Sequence, residues 1–470
     1  MNARQLYERL TSQHIAFLDC RFMDFPGQWQ HATYPVANLT AGILADGFGF
    51  DGSLLRGWQA INEADMLLVP DPNSARPDPF AAHPTWSVIC DIKDPVTRKT
   101  YSRDPRSIAR RAEAYLVESG VGTTAFFGPE VEFFVFDHAH FDQRMNTAVH
   151  SVASSEAIWT RGQDRPDNRG QQIRPNEGGF PLPPQDSLHD LRSEIASTLD
   201  GLGIPVRCHH HESATAGQVE IDLFHDGLLE VADKLLYLKQ VVRETAVRAG
   251  HVATFMPKPL YGENGSGMHT HFSIMDEGTN VFAGRRYAGL SATGLHAIGG
   301  ILRHLPALLA FTNPTTNSFK RLTPGHEAPT KIMYASRNRD AAIRIPVYQN
   351  NPDTKRLELR FPDPTANPYL AFAAITMAAL DGILNRTDSG DPIDFDPADL
   401  PADDRPVLQD TPPTLEAALD ALEADHGFLT AGGVFPPEVI EHWIRNKRDS
   451  EIRPMHERPH PYEFCLYFNQ

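Results

Sequence analysis

The sequence has few cysteines, and their spacing excludes two classes of protein. Its 470 residues include only four cysteines, at positions 20, 90, 208 and 465, with no Cys-x-x-Cys pair. A disulfide framework and a thiolate zinc site are therefore excluded, and a reducing compartment is indicated. The N-terminal MNARQLYERL has no apolar signal core. We therefore predict a cytoplasmic protein, and we expect no apolar run to reach membrane-spanning length.

Positive charge is also scarce. Sixty acidic residues outnumber 43 lysines and arginines, which gives a formal net charge of −17. Such an acidic chain is not expected to bind nucleic acid. With 41% hydrophobic and 22% charged residues, the composition is typical of a globular protein, and the length allows more than one domain.

The usual nucleotide-binding loops are missing. No GxxxxGK[ST] motif occurs, so a Walker loop is excluded. The stretch GFGFDG at 47–52 matches GxGxxG, but no strand–helix pattern surrounds it, and we interpret it as a turn.

The pattern along the chain predicts an α+β protein. Residues 1–104 contain short apolar stretches broken by Gly and Pro, which predicts a small β-rich domain, and residues 105–470 form a second domain. About 40 residues after Phe136 are polar and predict a loop, and Ser187 is a candidate N-cap for the helix that follows. Helices are predicted at 104–120, 187–203 and 226–250, and strands at 218–224, 271–275, 342–346 and 356–361.

Two glutamates in the apolar run FFGPEVEFFVF raise a question of charge. On a strand, Glu130 and Glu132 project from the same face, where two buried like charges need a positive partner. Other oxygen and imidazole donors suited to Mg²⁺ or Mn²⁺ occur along the chain at Glu212, Glu220, His269 and Glu358. The alternative is that one carboxylate bonds an arginine and the other faces solvent.

A group of arginines forms a second candidate feature. Arg321, Arg337, Arg339 and Arg344 carry guanidinium groups that suit phosphate and carboxylate oxygens. An internal salt-bridge network is the alternative in a chain this acidic. The run HHH at 209–211 cannot form a zinc site by itself, because successive residues on a strand alternate faces.

Ten motifs, in this order, resemble those of bacterial type I glutamine synthetases. The resemblance covers nearly the whole chain, from about residue 15 to the C-terminal HPYEF. The motifs are FDGS, NEADM, GPEVEFF, HHHESATAGQ, MPKP, NGSGMHTH, NPTTNSFKRL, EAP, RNR…IRIP and RFPDPTANPYL.

The resemblance implies a fold and an assembly. A β-grasp domain would precede a catalytic domain with a curved antiparallel sheet flanked by helices. Twelve subunits would form two stacked rings, with each active site between neighbours, so that Asp51 comes from the adjacent subunit. The co-substrate is ATP, and two or more Mg²⁺ or Mn²⁺ ions act at each site.

The resemblance also implies roles for individual residues. One metal ion would be held by Glu132, Glu212 and Glu220, and another by Glu130, His269 and Glu358. His271, Ser273, Arg344 and Lys355 would face ATP, while Asn264, Gly265, Arg321 and Arg360 would bind glutamate. Arg339 would stabilise the transferring phosphoryl group, Asp51 would accept a proton from the amine, and Glu327 would close the site.

The chain departs from the family pattern at the ammonium pocket. Leu54 replaces a serine, and Gly179 stands in a shortened segment, GGFPLPP, where a tyrosine is expected. Loss of both hydroxyls favours a small organic primary amine or a polyamine as the substrate. Phe180 or a loop shift could restore the pocket instead, which would leave ammonia as the substrate.

Two further departures concern the nucleotide and regulation. Arg207 stands where the enterobacterial pattern has a glutamate near the nucleotide. Ala398 occupies the place of the family's adenylylated tyrosine, so adenylylation there is excluded.

The sequence thus predicts an ATP-dependent ligase that activates L-glutamate as γ-glutamyl phosphate and condenses it with an amine. The leaning is toward an organic amine, and ammonia is the alternative. A non-catalytic relative is a remote third possibility, because every predicted metal ligand is intact.

Overall fold

A computed structural model describes residues 1–55, 64–160, 170–348, 351–395 and 407–470. The N-terminal region forms a six-stranded sheet in the order β2-β1-β6-β4-β3, with β5 paired to β6. Its elements are α1 (Ala3–Ser12), β1 (Phe17–Met23), β2 (Trp29–Pro35), α2 (Ala41–Asp46), β3 (Phe48–Asp51), β4 (Asp65–Pro70), β5 (Arg76–Pro77) and β6 (Thr85–Lys93).

The remaining strands form one large sheet and a separate hairpin. They are β7 (Thr124–Phe136), β8 (His138–Arg144), β9 (Thr147–Ala153), β10 (Val206–His211), β11 (Gln218–Leu223), β12 (Asp226–Gly227), β13 (Val252–Thr254), β14 (Met268–Asp276), β15 (Thr279–Asn280), β16 (Lys331–Ala335), β17 (Ala341–Arg344) and β18 (Leu357–Leu359). The large sheet has ten strands in the order β10-β11-β7-β14-β18-β17-β16, with β12 and β13 on β7 and β15 on β14. Every pair in it is antiparallel except β16–β17.

Helices surround this sheet. They are α3 (Pro105–Glu118), α4 (His189–Gly201), α5 (Leu228–Arg248), α6 (Ala292–Thr312), α7 (Ser318–Arg321), α8 (Pro368–Asn385), α9 (Leu415–Ala424), α10 (Gly427–Thr430), α11 (Pro437–Lys447), α12 (Arg453–His456) and α13 (Pro461–Tyr467). The α+β prediction and the β-rich N-terminal domain are confirmed. The boundary predicted at residue 104 lies between β6 and α3, and it stays a prediction.

The central helices α6 and α8 are long and apolar enough to cross a membrane, so the expectation that no segment reaches that length is wrong. In each, roughly three quarters of the most apolar window is buried inside the protein. A Cβ added at Gly300 of α6 would lie 2.6 Å from the Cα of Gly382 of α8, so the two backbones approach closely. The apolar character of both helices is therefore that of core packing.

Two local predictions were wrong. The polar segment after Phe136 begins with the β8–β9 hairpin rather than a loop, because its backbone pairs in register from His138–Ala153 to Arg144–Thr147. Ser187 does not cap α4, whose N-cap residue Leu188 makes no capping hydrogen bond. The backbone N–H and hydroxyl of Ser187 instead donate to Glu156 Oε1, at 2.8 and 2.7 Å.

His304, on α6, contacts two carboxylates among the packed helices. Its Nδ1 lies 2.7 Å from Asp425 Oδ2 and its Nε2 lies 3.0 Å from Asp381 Oδ2, while its ring stacks on Phe428. Burial opposes protonation of His304, but hydrogen bonds and charge from Asp425 and Asp381 outweigh it and raise the pKa.

The raised pKa of His304 predicts a pH-dependent contribution to stability. The stabilisation is complete below the unfolded pKa of about 6.5 and is lost as the pH rises through the folded value. We expect His304→Gln to lower the free energy of unfolding by roughly 1–3 kcal/mol near pH 6 and by less near pH 9. Urea unfolding at both pH values measures this. His296→Gln is the control, since that ring contacts the Thr387 backbone oxygen. An equal loss at both pH values would contradict the prediction.

Candidate active site

The register of the large sheet places acidic side chains opposite one another. Glu132 on β7 pairs with Glu220 on β11, and Glu130 pairs with Asp222. On the other side of β7, Glu130 pairs with His269 of β14. Because residues two apart on a strand share a face, these side chains converge on one face of the sheet.

Two groups of side chains could each hold a metal ion. Glu130, His269 and Glu358 place one ligand atom each within 4.8 Å of one another, and so do His210, Glu212 and Glu220. The first group is the same trio that the sequence assigned to one ion. In the second group, His210 stands with Glu212 and Glu220, where the sequence had placed Glu132.

Glu130 is held ionised by the charges around it. Burial opposes ionisation, but a hydrogen bond and charge from His271, together with the charges of Arg207 and Arg344, lower its pKa to about 2. His271 Nε2 lies 2.8 Å from Glu130 Oε1. A carboxylate that stays ionised is suited to bind a cation.

Glu132 and Glu220 behave in the opposite way. Burial and the charge of Glu212 raise the pKa of Glu132 to about 8, against the charges of Arg321 and Arg360 and a hydrogen bond from the Gly267 N–H. Burial and the charge of Glu132 raise the pKa of Glu220 well above its ordinary value. The protein alone does not neutralise this pair, so a divalent ion fits the donor set chemically.

Arginines surround Glu358 on the neighbouring strands. The Arg344 guanidinium donates to Glu358 Oε2, and Arg360 Nη1 donates to Oε1 at 2.9 Å. The Nε–H groups of both arginines are buried and find no acceptor within the described residues. These two donors are therefore left unsatisfied by the described part of the protein.

The glycine-rich segment before β14 lies against the buried Arg321. A Cβ at Gly265 would be 2.8 Å from the Arg321 Cγ, and a Cβ at Gly267 would be 2.5 Å from its Nη2. Arg321 Nη1 donates to the Phe361 backbone oxygen at 3.0 Å. Neighbouring Asn264 is buried and its Nδ2 donates to Ser213 Oγ at 3.2 Å. The small residues thus let the backbone reach the guanidinium.

Comparison with known proteins decides the family. A model described as the glutamine synthetase catalytic domain matches residues 102–467, and one described as the glutamine synthetase beta-Grasp domain matches residues 14–95. The chain is 52% identical to the glutamine synthetase of Aquifex aeolicus over 99% of its length and 98% of that protein. It is 47% identical to that of Mycolicibacterium smegmatis, with the same coverage.

This chain is a member of the glutamine synthetase family.

Solved structures agree with this assignment. The Plasmodium falciparum glutamine synthetase, determined by cryo-EM, matches with a TM-score of 0.91 and 26% identity, covering 99% of both chains. Apo GmaS matches with a TM-score of 0.80 and 29% identity, also covering 99% of both. The chain therefore has the glutamine synthetase fold and is a glutamate–ammonia or glutamate–amine ligase. Enzymes of the glutamine synthetase family require ATP and divalent metal ions.

Several predicted site residues lie outside the carboxylate cluster in the single chain. Asp51 ends β3 in the N-terminal sheet, fully exposed, and its Oδ1 accepts hydrogen bonds from the backbone N–H and hydroxyl of Ser53. Leu54 is 81% exposed nearby. Arg339 is exposed in the turn between β16 and β17. Lys355 donates instead to the Ala288 backbone oxygen, at 2.8 Å.

The remaining predicted residues are closer to the cluster or lie beyond what the structure describes. Ser273 lies on β14, two residues after His271. Glu327 adopts a positive φ of 52°, and its backbone oxygen accepts from Arg360 Nη2 at 3.4 Å. A Cβ at Gly179 would meet nothing within 4 Å, while the neighbouring Phe180 ring contacts His210. Ala398 lies outside the described residues.

His210 and Asp222 also belong to the carboxylate cluster, and the sequence did not predict either of them. His210 pairs with Glu220, and its ring nitrogens lie 3.4 Å from Glu212 and 3.7 Å from Glu220. Side-chain alternation was the signal that could have found them. His210 lies two residues before Glu212, and Asp222 lies two residues after Glu220, so each shares a face with that glutamate. His209 and His211 contact Arg192 and Glu156 instead.

The raised pKa of Glu132 predicts how metal-free protein responds to pH. A carboxyl whose pKa is raised on folding lowers the free energy of unfolding as the pH increases. For Glu132 this decrease runs from the unfolded pKa near 4.5 to the folded pKa of about 8. We expect Glu132→Gln to raise the free energy of unfolding by at least about 1 kcal/mol near pH 8. Thermal unfolding with a chelator present measures this.

The matched control for this prediction is Glu156→Gln. Glu156 is equally buried, but burial is outweighed by His211 and Ser187, which lower its pKa. Its neutralisation should therefore destabilise the protein near pH 8. A lower melting temperature for Glu132→Gln at every pH would contradict the prediction.

Proposed function

We propose that this protein is an ATP-dependent glutamine synthetase that condenses L-glutamate with ammonia through γ-glutamyl phosphate. The observation that carries the proposal is the convergence of two groups of potential metal ligands on one face of the sheet, beside arginines with free donors. Such a site suits phosphoryl transfer, in which positioning and charge stabilisation dominate.

We propose that Glu130, His269 and Glu358 hold one divalent ion and that Glu132, Glu212 and Glu220, joined by His210, hold another. When bound, the ions would neutralise the charge of ATP and of the transferring phosphate. Either Mg²⁺ or Mn²⁺ satisfies an oxygen-rich donor set. The buried, mutually repelling Glu132 and Glu220 support this assignment, because their ionisation needs added positive charge.

The side chains near the cluster would position the substrates. Arg321, Arg360, Asn264 and Gly265 are proposed to bind glutamate. The free Nε–H groups of Arg344 and Arg360 support anion binding at this place. His271, Ser273, Arg344 and Lys355 are proposed to face ATP.

The proposed chemistry converts a poor leaving group into a good one. A free carboxylate resists attack by an amine, and phosphorylation supplies phosphate as the leaving group. Arg339 is proposed to stabilise the transferring phosphoryl group and Glu327 to close the site against water. Ammonium must lose a proton before it attacks, and Asp51 of an adjacent subunit is the proposed acceptor.

The relatives favour ammonia over the organic amine that Leu54 and Gly179 suggested. Enzymes of this family use glutamate, ATP and ammonia, and the bacterial relatives described above are named glutamine synthetases. One observation keeps an organic amine as the second candidate. Gly179 leaves open space beside Phe180, whose ring contacts His210 of the cluster.

The choice of amine is tested by measuring phosphate release. We expect purified enzyme with ATP, Mg²⁺ and glutamate to release phosphate with ammonium at low-millimolar saturation. Methylamine, ethanolamine and a polyamine should give less. Gly179→Tyr should reduce any turnover of the larger amines more than turnover of ammonium, because the side chain fills the open space. Release with an organic amine and little with ammonium would contradict ammonia as the substrate.

We also propose that the chain assembles into a homo-oligomer, as members of this family do, and that the assembly is a dodecamer in the cytoplasm. Asp51, at the end of a strand of the N-terminal sheet, and Leu54, in the turn that follows it, are both exposed, which supports a site completed by a neighbouring copy. No membrane or nucleic-acid partner is proposed.

Sites shared between subunits predict complementation in mixed oligomers. Oligomers made only of Asp51→Asn subunits, or only of Glu358→Gln subunits, should be nearly inactive. In each of them, every site lacks one carboxylate that one of its two subunits should supply. Oligomers reassembled from both should regain measurable activity, because some interfaces then combine two intact halves. The control is a mixture of Glu220→Gln and Glu358→Gln subunits, whose lesions lie in the same half. No recovery in the first mixture would contradict a shared site.

A further inference from the structure

The edge strand β10 contains an irregularity that turns an arginine toward the carboxylates. Val206 pairs with Leu223 and Cys208 pairs with Asp222, so Arg207 is the extra residue of a β-bulge. An extra residue breaks the alternation of side chains and redirects one of them. As a result, both Arg207 and Cys208 contact the same carboxylate oxygen of Asp222, although they are adjacent in sequence.

The Arg207 guanidinium joins two carboxylates on neighbouring strands. Its Nη2 donates to Glu130 Oε1 at 3.0 Å and also to Asp222 Oδ2. Glu130 and Asp222 are themselves a cross-strand pair of β7 and β11. The guanidinium therefore bridges two acidic side chains that face each other across the strands, and it adds to the compensation that His271 gives Glu130.

These two carboxylates belong to a third group of potential metal ligands. Glu130, Glu220 and Asp222 each place an oxygen within 4.8 Å of the others. Asp222 is only 2% exposed, and its Oδ1 is buried and finds no hydrogen-bond donor within the described residues. Three clustered carboxylates with an unsatisfied oxygen form a donor set that suits a divalent ion. Such an ion and the Arg207 guanidinium would compete for the same oxygens.

We propose that Arg207 takes the place of a third divalent ion at the Glu130–Glu220–Asp222 group and orients Glu130 for the ion at Glu130, His269 and Glu358. Arg207 is a positioning residue, because it would act through its contact with Glu130, a proposed metal ligand. The inference rests on the proposed metal-dependent function. The charge that Arg207 supplies does not depend on metal concentration.

The number of bound Mn²⁺ ions tests this inference directly. Free Mn²⁺ is measured by electron paramagnetic resonance during titration of the full-length protein. We expect Arg207→Gln to bind one more Mn²⁺ per chain than the wild type. Because Glu130 loses one of the two side chains that hold it, the affinity of the original ions should also fall by roughly tenfold to a hundredfold.

A second substitution and a control make the result specific. The double variant Arg207→Gln/Asp222→Asn should return to the wild-type number of ions, because the third group then lacks a carboxylate. Arg243→Gln should bind as the wild type does, since the guanidinium of Arg243, on α5, packs over the Phe255 ring. Circular dichroism checks the fold of each variant. If Arg207→Gln does not fold, Arg207→Lys serves instead, and it should admit the extra ion at higher Mn²⁺ concentrations.

The outcomes separate this inference from the proposed function. If Arg207→Gln, or Arg207→Lys in its place, binds the wild-type number of ions with unchanged affinity, the role of Arg207 is overturned and the proposed metal site stands. If the wild type itself binds no Mn²⁺, the metal-dependent function is overturned and the inference about Arg207 falls with it.

Discussion

The register of strand β7 against its two neighbours is the constraint on which the rest of the site depends. It sets Glu132 opposite Glu220 on one side and Glu130 opposite His269 on the other. A shift of β7 by one residue would send Glu130 and Glu132 to the other face and into the core. The apolar residues between them, such as Val131 and Phe133, are fully buried, so burial of one face holds the register that gathers charge on the other.

The clustered carboxylates repel one another, and the neighbouring positive charges compensate this repulsion only in part. Histidine and arginine contacts keep Glu130 ionised, while Glu132 and Glu220 remain without enough positive charge. The two behaviours divide the cluster into a part that is ionised at neutral pH and a part that favours an added cation. This division gives the proposed site a chemical reason to take up divalent ions. Arginines approach the cluster from β10, at Glu130, and from β17, at Glu358.

Much of the fold could be predicted from the sequence, because apolar periodicity and capping signals are local. The helices at α3 and α5 begin and end within about two residues of their predicted limits, and the predicted strands of the large sheet are present. The β8–β9 hairpin could not be predicted in this way. Its two strands are mostly exposed on both faces, so they carry no apolar alternation, and only backbone pairing defines them. The role of Ser187 could not be predicted from local sequence either, because its hydrogen-bond partner Glu156 lies 31 residues away in the chain.

The sequence by itself determined that Glu130 and Glu132 share a face, because side-chain alternation on a strand is a local property. It also determined the family, through motifs spread over the whole chain. Only the tertiary structure decided which carboxylates face which, since pairing joins segments about 90 residues apart, such as Glu132 and Glu220. It likewise brought His210 to the cluster and turned Arg207 toward Asp222, because a bulge arises from the pairing of two strands and leaves no mark in either strand alone.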